Sequence, residues 1–395
     1  MGLNAQDKDE ATDQSTMPTF STLGISDEIV TALAQQKITT PLDIQSKAYP
    51  VISGKQDAWL RSPTGSGKTL AYLLPLLRNI DTTTTDLQVA ILAPTQELAV
   101  QIHECIRLLS CDGTSALRSQ LLIGSASSQR QKEKLKKKPH IVVGSCGRML
   151  ELNRAGKLKL HKCNAIAIDE ADNMLAEDSV EAVEKFIKAT PSSRQLVFIS
   201  ATEKGDAFRV AQTLGKNVQW IESENNQTSP TTIEHFYIES SFRHKADTLR
   251  KLLNAVQPDR AIVFLHRNAT AELVGEKLSH KELKLMVLHG GMSKFERQKA
   301  LGDFRKGKIK VLVSSDVSAR GLDVKDVTHI INLDLPSDSG DYLHRVGRTG
   351  RMGATGAGIS IATYDEMRLI DRYERDLGIT IHHATLRNGQ FLVPQ

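Results

Sequence analysis

The sequence predicts an α/β protein of two domains, each a parallel sheet flanked by helices, and three observations carry that prediction. At 395 residues the chain exceeds what one hydrophobic core ordinarily organises. Short apolar, β-branched runs alternate with longer helix-like segments, the rhythm of βαβ units. A polar stretch from Glu222 to Pro230, with no large apolar residue, interrupts that rhythm and divides it into two series.

In chain order, residues 1–17 are polar with little to bury and are expected to be a disordered tail. Ser26 reads as an N-cap, with Asp27 and Glu28 in the first turn and Ile29, Val30 and Leu33 facing inward. Thr39-Thr40-Pro41 breaks the chain before a helix carrying Gln45. A short strand is expected over Asp57 to Arg61 and a buried helix over Leu70 to Leu77. Strands follow at Val89 to Pro94, Gln120 to Ile123, His140 to Val143, Asn164 to Ile168 and Gln195 to Ile199, with a helix from Gln96 to Leu109. The first domain is therefore placed at 18–221, the linker at 222–230 and the second domain at 231–395. Strands of the second are expected at Ile233 to Ile238, Ala261 to Leu265, Lys284 to Leu288, Lys310 to Val313, His329 to Asn332 and Ala357 to Ala362, before a helix over Glu366 to Asp376. Ligands of such sheets sit beyond the carboxyl ends of the strands.

Composition narrows the function classes. Lys and Arg number 51 against 46 Asp and Glu, a net +5 that permits nucleic-acid binding without demonstrating it. Cys105, Cys111, Cys146 and Cys163 form no Cys-x-x-Cys pair and stand at no zinc-ligand spacing, so reduced thiols in a cytoplasmic protein are expected. No apolar run approaches a bilayer span and the N-terminus lacks a signal-peptide core, which argues against a membrane partner. Aromatic residues make up 5%, too few for the base-stacking platforms of dedicated single-strand binders.

The chemistry concentrates in three motifs. Ser62-Pro63-Thr64-Gly65-Ser66-Gly67-Lys68-Thr69 stands between a strand and an apolar helix. Glycines there let backbone N–H groups converge on an anion at a helix N-terminus, Lys68 can reach the outer phosphates, and Thr69 can ligate Mg²⁺. Ser62 occupies the first position, where the general pattern has Gly. Ala165-Ile166-Ala167-Ile168 ends in Asp169-Glu170-Ala171-Asp172, a buried strand delivering acids to a site. Asp169 can hold the metal there, and Glu170 can orient and deprotonate an attacking water. In the second domain, His344-Arg345-Val346-Gly347-Arg348-Thr349-Gly350-Arg351 spaces arginines by three, as on one helical face, and guanidinium forks suit phosphate oxygens. The second domain has no cradle of its own, so it is expected to complete the site of the first.

Taken together, these motifs resemble a DEAD-box RNA helicase over Phe20 to about Thr363, in family order. The resemblance implies two RecA-like domains that close on ATP and RNA, with ATP and Mg²⁺ as cofactors. The implied activity is an RNA-stimulated ATPase that unwinds or remodels short RNA duplexes and RNA–protein complexes, in ribosome assembly or RNA turnover. An ATP-gated RNA clamp with little unwinding is the alternative. By match to the family's motifs, Phe20, Ile38 and Gln45 serve the adenine and Asp323 the ribose. Lys68, Asp169, Glu170, Arg348 and Arg351 serve catalysis, with Thr69 and Asp169 on the metal. Asp172, Ser200, Thr202 and His344 couple the ATP site to RNA. Backbone contacts to RNA map to Pro94, Thr95, Gln96, Gly124, Ser145, Gly147, Arg148, Arg297, Ser315 and Gly321, a mode that carries no base sequence. Implied partners are single-stranded or short duplex RNA and ribosomal or RNA-decay proteins, with the chain a monomer.

The chain departs from the family pattern at Ile38 for an aromatic, Leu42 for Thr, Gln96 for Arg, Ser125 for Gly, Cys146 for Pro and Lys294 for Gln. Apolar contact would then grip the adenine in place of stacking. The densest basic cluster, Lys134, Lys136, Lys137 and Lys138, reads either as a solvated face or as an auxiliary RNA contact.

Overall fold

The computed structural model describes residues 18–62, 66–110, 116–124, 128–201, 205–223, 232–266, 274, 284–288, 292–315, 324, 326–350 and 354–393. The expected tail and the linker beyond Ser223 lie outside them. Helices α1 (Asp27–Gln35) and α2 (Asp43–Ser53) precede strand β1 (Ala58–Arg61). Then come α3 (Lys68–Arg78), β2 (Val89–Leu92), α4 (Gln96–Leu109), β3 (Ser119–Leu122), α5 (Ser128–Leu135), β4 (Ile141–Gly144) and α6 (Cys146–Arg154). β5 (Ala165–Ile168), α7 (Ala171–Met174), α8 (Glu177–Lys188), β6 (Gln195–Ser200), α9 (Gly205–Leu214) and β7 (Gln219–Glu222) complete the first half. The second contains β8 (Ile233–Glu239), α10 (Lys245–Val256), β9 (Ala261–Leu265), β10 (Leu285–Leu288), α11 (Lys294–Arg305), β11 (Val311–Ser315), β12 (His329–Asn332), α12 (Ser339–Val346), β13 (Gly356–Ala362), α13 (Met367–Leu377) and β14 (Ile381–His383). A hairpin of β15 (Thr385–Arg387) and β16 (Gln390–Leu392) follows.

Among the described residues the strands form two seven-stranded parallel sheets, ordered β3-β4-β2-β5-β6-β1-β7 and β10-β11-β9-β12-β13-β8-β14. Subtracting seven from each number in the second order reproduces the first. The chain thus builds one topology twice. Parallel strands covered by helices on both faces must be apolar on both, and β2, β4 and β5 are buried at every position. Their period-two alternation feeds two cores: Val89 and Ile91 pack on one face of the first sheet, Ala90 and Leu92 on the other. In the second sheet Ile262 and Phe264 point one way and Ala261, Val263 and Leu265 the other.

The expected central strands are all present. Beyond the expected strands lie β7, β14 and the hairpin. Each is an edge or surface element with an interrupted apolar pattern. In β7 only Ile221 is buried, and in β14 only Ile381. Glu222, placed in the linker by the sequence reading, is the last residue of β7, where its carboxylate ion-pairs with Arg61 of β1.

Candidate active site

The cradle lies where β1 turns into α3. Pro63, Thr64 and Gly65 fall outside the described residues, but both flanks are fixed. Ser62 N–H donates to the Ser200 carbonyl at 3.2 Å, tying the turn to the end of β6. Ser62 Oγ donates to Ser66 Oγ at 2.5 Å. Gly67 caps α3 at φ 81°, and a Cβ there would lie 2.5 Å from Gln45 Nε2 and 2.8 Å from Leu42 Cδ1. Both the left-handed backbone and the close approach require glycine. Gln45, only 2% exposed, causes that crowding: its Nε2 donates to the Gly67 carbonyl at 3.1 Å, and its Oε1 accepts the Leu42 N–H at 3.0 Å. Its amide therefore clamps the start of α2 to the cradle.

Lys68 is the first residue of α3, and its Nζ donates to the Ser62 carbonyl. Burial pushes its pKa down to about 8, against the charges of Asp169, Asp172 and Glu170. Burial and the neighbouring Glu170 push Asp169 up to about 6, opposed by hydrogen bonding and by Lys68. Tyr72, four residues after Lys68 and hence on the same helical face, donates its hydroxyl to Asp169 Oδ2 at 2.9 Å. The sequence reading missed Tyr72, though that spacing was available to find it. Asp169 Oδ1 accepts the Glu170 N–H at 2.9 Å. Glu170 itself is held at φ 49°, a left-handed conformation costing a non-glycine residue about 1–3 kcal/mol, as it starts α7. Asn173 Nδ2 donates to Glu170 Oε2 at 3.3 Å. A carboxylate held in a strained conformation by a neighbouring amide is an aimed group.

Among the described residues, contacts cross between the two halves of the chain. His344 Nε2, in the last turn of α12, stands 4.0 Å from the buried Asp172 Oδ2. Arg297 on α11 makes an ion pair with Glu97 on α4, with Nη2 at 2.8 Å and Nε at 2.9 Å from Oε1. One crosses beside the cradle, the other at the rim formed by the carboxyl ends of β2, β3 and β4. On that rim Thr95 caps α4, its hydroxyl accepting the Leu98 N–H at 3.2 Å, with Pro94 and Gln96 half-buried beside it. Gly124 and Gly147 are exposed, and Ser145 stands at the N-cap position of α6 without a side-chain capping bond.

Several expected site residues stand elsewhere. Arg345 and Arg348 do not share a helical face, because α12 ends at Val346 with Gly347 as its C-cap. Arg345 turns inward, 2% exposed, donating to Asn332 Oδ1 at 3.0 Å and the Asp334 carbonyl at 2.6 Å, whereas Arg348 lies half-buried in the following turn. Phe20 is 1% exposed and packs in the core with Leu33, Ile44 and Tyr49, while Ile38 is half-buried at that core's margin. Arg148 is 8% exposed: Nη1 pairs with Glu151 at 2.6 Å, while Nε and Nη2 are buried without hydrogen-bond partners, so it supports the rim from beneath. Ser315 is buried at the end of β11. Thr202, Gly321, Asp323 and Arg351 lie outside the described residues.

No cluster of three or more metal-ligating side chains occurs among the described residues. Mg²⁺ is usually held by one or two carboxylates together with substrate phosphates. Asp169, whose carboxyl is pushed up by burial and by Glu170, and Thr69 at the start of α3 are the residues that would hold it.

Comparison with known proteins agrees with this geometry. Residues 42–209 match the family model for DEAD/DEAH box helicases and residues 244–353 that for the helicase conserved C-terminal domain. The DEAD-box ATP-dependent RNA helicase CshC of Bacillus cereus is 41% identical over 350 residues, covering 89% of this chain and 89% of that protein. S. cerevisiae Dbp5 bound to RNA and ADP BeF3 superposes with a TM-score of 0.85 at 28% identity, covering 92% of this chain and 95% of that one. A Dbp5 variant bound to Nup159, a Gle1 variant, IP6 and ADP gives 0.62 at 27% identity, over 91% and 95%. The chain belongs to the DEAD-box RNA helicase family. It is an ATP-hydrolysing helicase built on two RecA-like domains, and no helix of the described residues is long and apolar enough to cross a membrane.

Proposed function

We propose that this enzyme couples Mg²⁺-ATP hydrolysis at the cradle to local remodelling of short RNA duplexes and RNA–protein complexes, with domain boundaries at 18–221 and 231–395. The pair of cross-sheet contacts carries this reading: His344 to Asp172 at the acidic motif and Arg297 to Glu97 at the rim. Each needs the sheets together, so the ATP site and the RNA rim are completed by one closure. The greater similarity to the RNA- and nucleotide-bound Dbp5 structure supports the same arrangement.

In this reading Gln45 addresses the adenine edge, and Lys68 with the N-terminus of α3 neutralises the outer phosphates. Burial of the Lys68 ammonium makes an incoming phosphate its natural counter-charge. Asp169 and Thr69 would hold Mg²⁺, which would supply charge neutralisation at the phosphates. Glu170 positions the attacking water and accepts its proton, and Arg348, with Arg351, meets the charge that builds on the transferred group. Asp172, Ser200 and His344 link these events to Pro94, Thr95, Gln96, Gly124, Ser145 and Gly147, which hold RNA through its backbone. The thiols of the half-buried Cys105 and the buried Cys146 and Cys163, each pushed up to about 12, suit a reducing cytoplasm.

Glu170→Gln tests the assignment. ATP and RNA binding should persist while turnover falls by roughly 10²–10⁴-fold, the usual worth of a general base. Turnover near the wild-type rate would remove Glu170 from that role. Displacement of a strand from a short duplex by the wild-type enzyme separates remodelling from a clamp, which would bind RNA with ATP and release nothing.

A further inference from the structure

We propose that α5 and the turn after it form a second RNA surface, which binds the phosphate backbone of a duplex arm continuing from the strand held at the rim. The inference rests on the RNA reading above and extends it to a face that none of the family's motifs covers. Residues 128–138 carry Arg130, Lys132, Lys134, Lys136, Lys137 and Lys138 against the single acid Glu133. Six minus one is +5, equal to the net charge of the whole 395-residue chain. The rest of the protein is formally neutral, so the charge excess is local to this strip.

The strip is fixed to the rim. β3 is the edge strand of its sheet, and its carboxyl end runs through Ile123 to the exposed Gly124. α5 then returns along that edge. Gln131, 3% exposed, anchors it: its Nε2 donates to the Ile123 carbonyl at 2.8 Å, and its own carbonyl accepts Gln120 Nε2 at 2.9 Å. At the far end Arg118 Nε donates to the Lys138 carbonyl at 3.0 Å, and Lys138 Nζ to Thr85 Oγ1 at 3.4 Å. Lys134, Lys136 and Lys137 are exposed and Lys132 is half-buried. None of these four forms an ion pair among the described residues. The cationic field reaches α4, where His103 is held below its ordinary pKa by burial and also by Arg107 and Lys134. Like charges held this close repel each other, and a polyanion relieves them. Lysines beside an edge strand also deter edge-to-edge pairing, which is the competing explanation.

The experiment compares the wild type with a Lys132→Gln, Lys134→Gln, Lys136→Gln, Lys137→Gln variant across a salt series. Two probes are used: a single-stranded oligonucleotide just long enough for the rim, and the same strand continued into a hairpin duplex. The variant should match the wild type on the single strand and bind the hairpin probe about tenfold more weakly. Its slope of log affinity against log salt should be shallower by about 0.9 for each phosphate that the lysines no longer neutralise. The corresponding four-Arg variant should restore hairpin binding, which excludes a folding defect. Equal weakening on both probes, or none on the hairpin, overturns the proposal and leaves the lysines as edge protection. Failure of the wild type to bind the single strand would instead overturn the underlying RNA reading.

Discussion

At Gly67 two independent demands meet in one residue: a φ of 81° and a Cβ position already claimed by Gln45 and Leu42. Gly67→Ala must either stay in the left-handed region, at about 1–2 kcal/mol and with the Gln45 amide displaced from the Gly67 carbonyl, or leave that region and move the turn. ATP affinity should fall at least about tenfold, while RNA binding without nucleotide stays near wild type. Calorimetric titration with ATP checks this; unchanged affinity would mean that the cradle tolerates the rearrangement. The requirement for glycine was legible in the motif, because phosphate binding demands convergent N–H groups. The role of Gln45 in crowding that position was not, since it depends on α2 folding back onto a turn 22 residues later. Arg148 shows the converse. Motif position placed it on the rim, yet the start of α6 turns its guanidinium inward onto Glu151.

At the scale of elements, β8 and α12 meet through His235 Nδ1 and the Tyr342 hydroxyl at 2.8 Å. Burial, with His382 nearby, pushes His235 down to about 4. The unfolded imidazole titrates near 6.5, so between pH 6.5 and pH 4 the unfolded chain binds more protons than the native one. The neutral ring's contribution is therefore fully present above pH 6.5 and is lost progressively as the pH falls to about 4, a change of roughly 3 kcal/mol. His235→Gln can keep a hydrogen bond to Tyr342 and does not titrate. Urea unfolding at pH 7.5 and pH 4.5 should show a smaller loss for the variant; an identical loss would place the acid sensitivity elsewhere. Such a contact between a strand and a helix 107 residues apart leaves no local trace in sequence. The buried strands were legible because both their faces are covered and they read as unbroken apolar runs. The arginine spacing misled, because a three-residue period is evidence for a helix only where a helix continues, and Gly347 ends this one.

For the whole molecule, the repeated strand order makes each position in one half comparable with a position in the other. Six residues separate β1 from α3, which begins at Lys68, and five separate β8 from α10, which begins at Lys245. In the first half the connecting turn is the glycine-rich cradle; in the second it is Ser240-Ser241-Phe242-Arg243-His244, without a glycine. The two lysines meet different partners. Lys68 faces Asp169, the residue after β5, at a site open to phosphates. Lys245 is 4% exposed and donates to the carbonyl of Leu333, the residue after β12, at 2.8 Å and to Glu366 Oε2 at 2.7 Å. The second half thus supplies its own anion where the first leaves the place to a ligand. That the second domain lacks a cradle is legible in its sequence; that a lysine occupies the corresponding position emerges only from the strand order. Glu366→Gln keeps the side chain's size and its acceptor for the Thr363 N–H, but leaves the Lys245 ammonium buried without a counter-charge. Stability should drop by roughly 1–3 kcal/mol, between the scales for an exposed and a buried ion pair, because Lys245 is buried and Glu366 half-buried. ATP affinity should not change, because the charge removed belongs to the copy that binds no nucleotide. Denaturant unfolding and ATP titration on the same variant read the two effects separately. A loss of ATP affinity without a loss of stability would show instead that the second copy contributes to the nucleotide site through Glu366, and that self-neutralisation is not why it lacks a cradle.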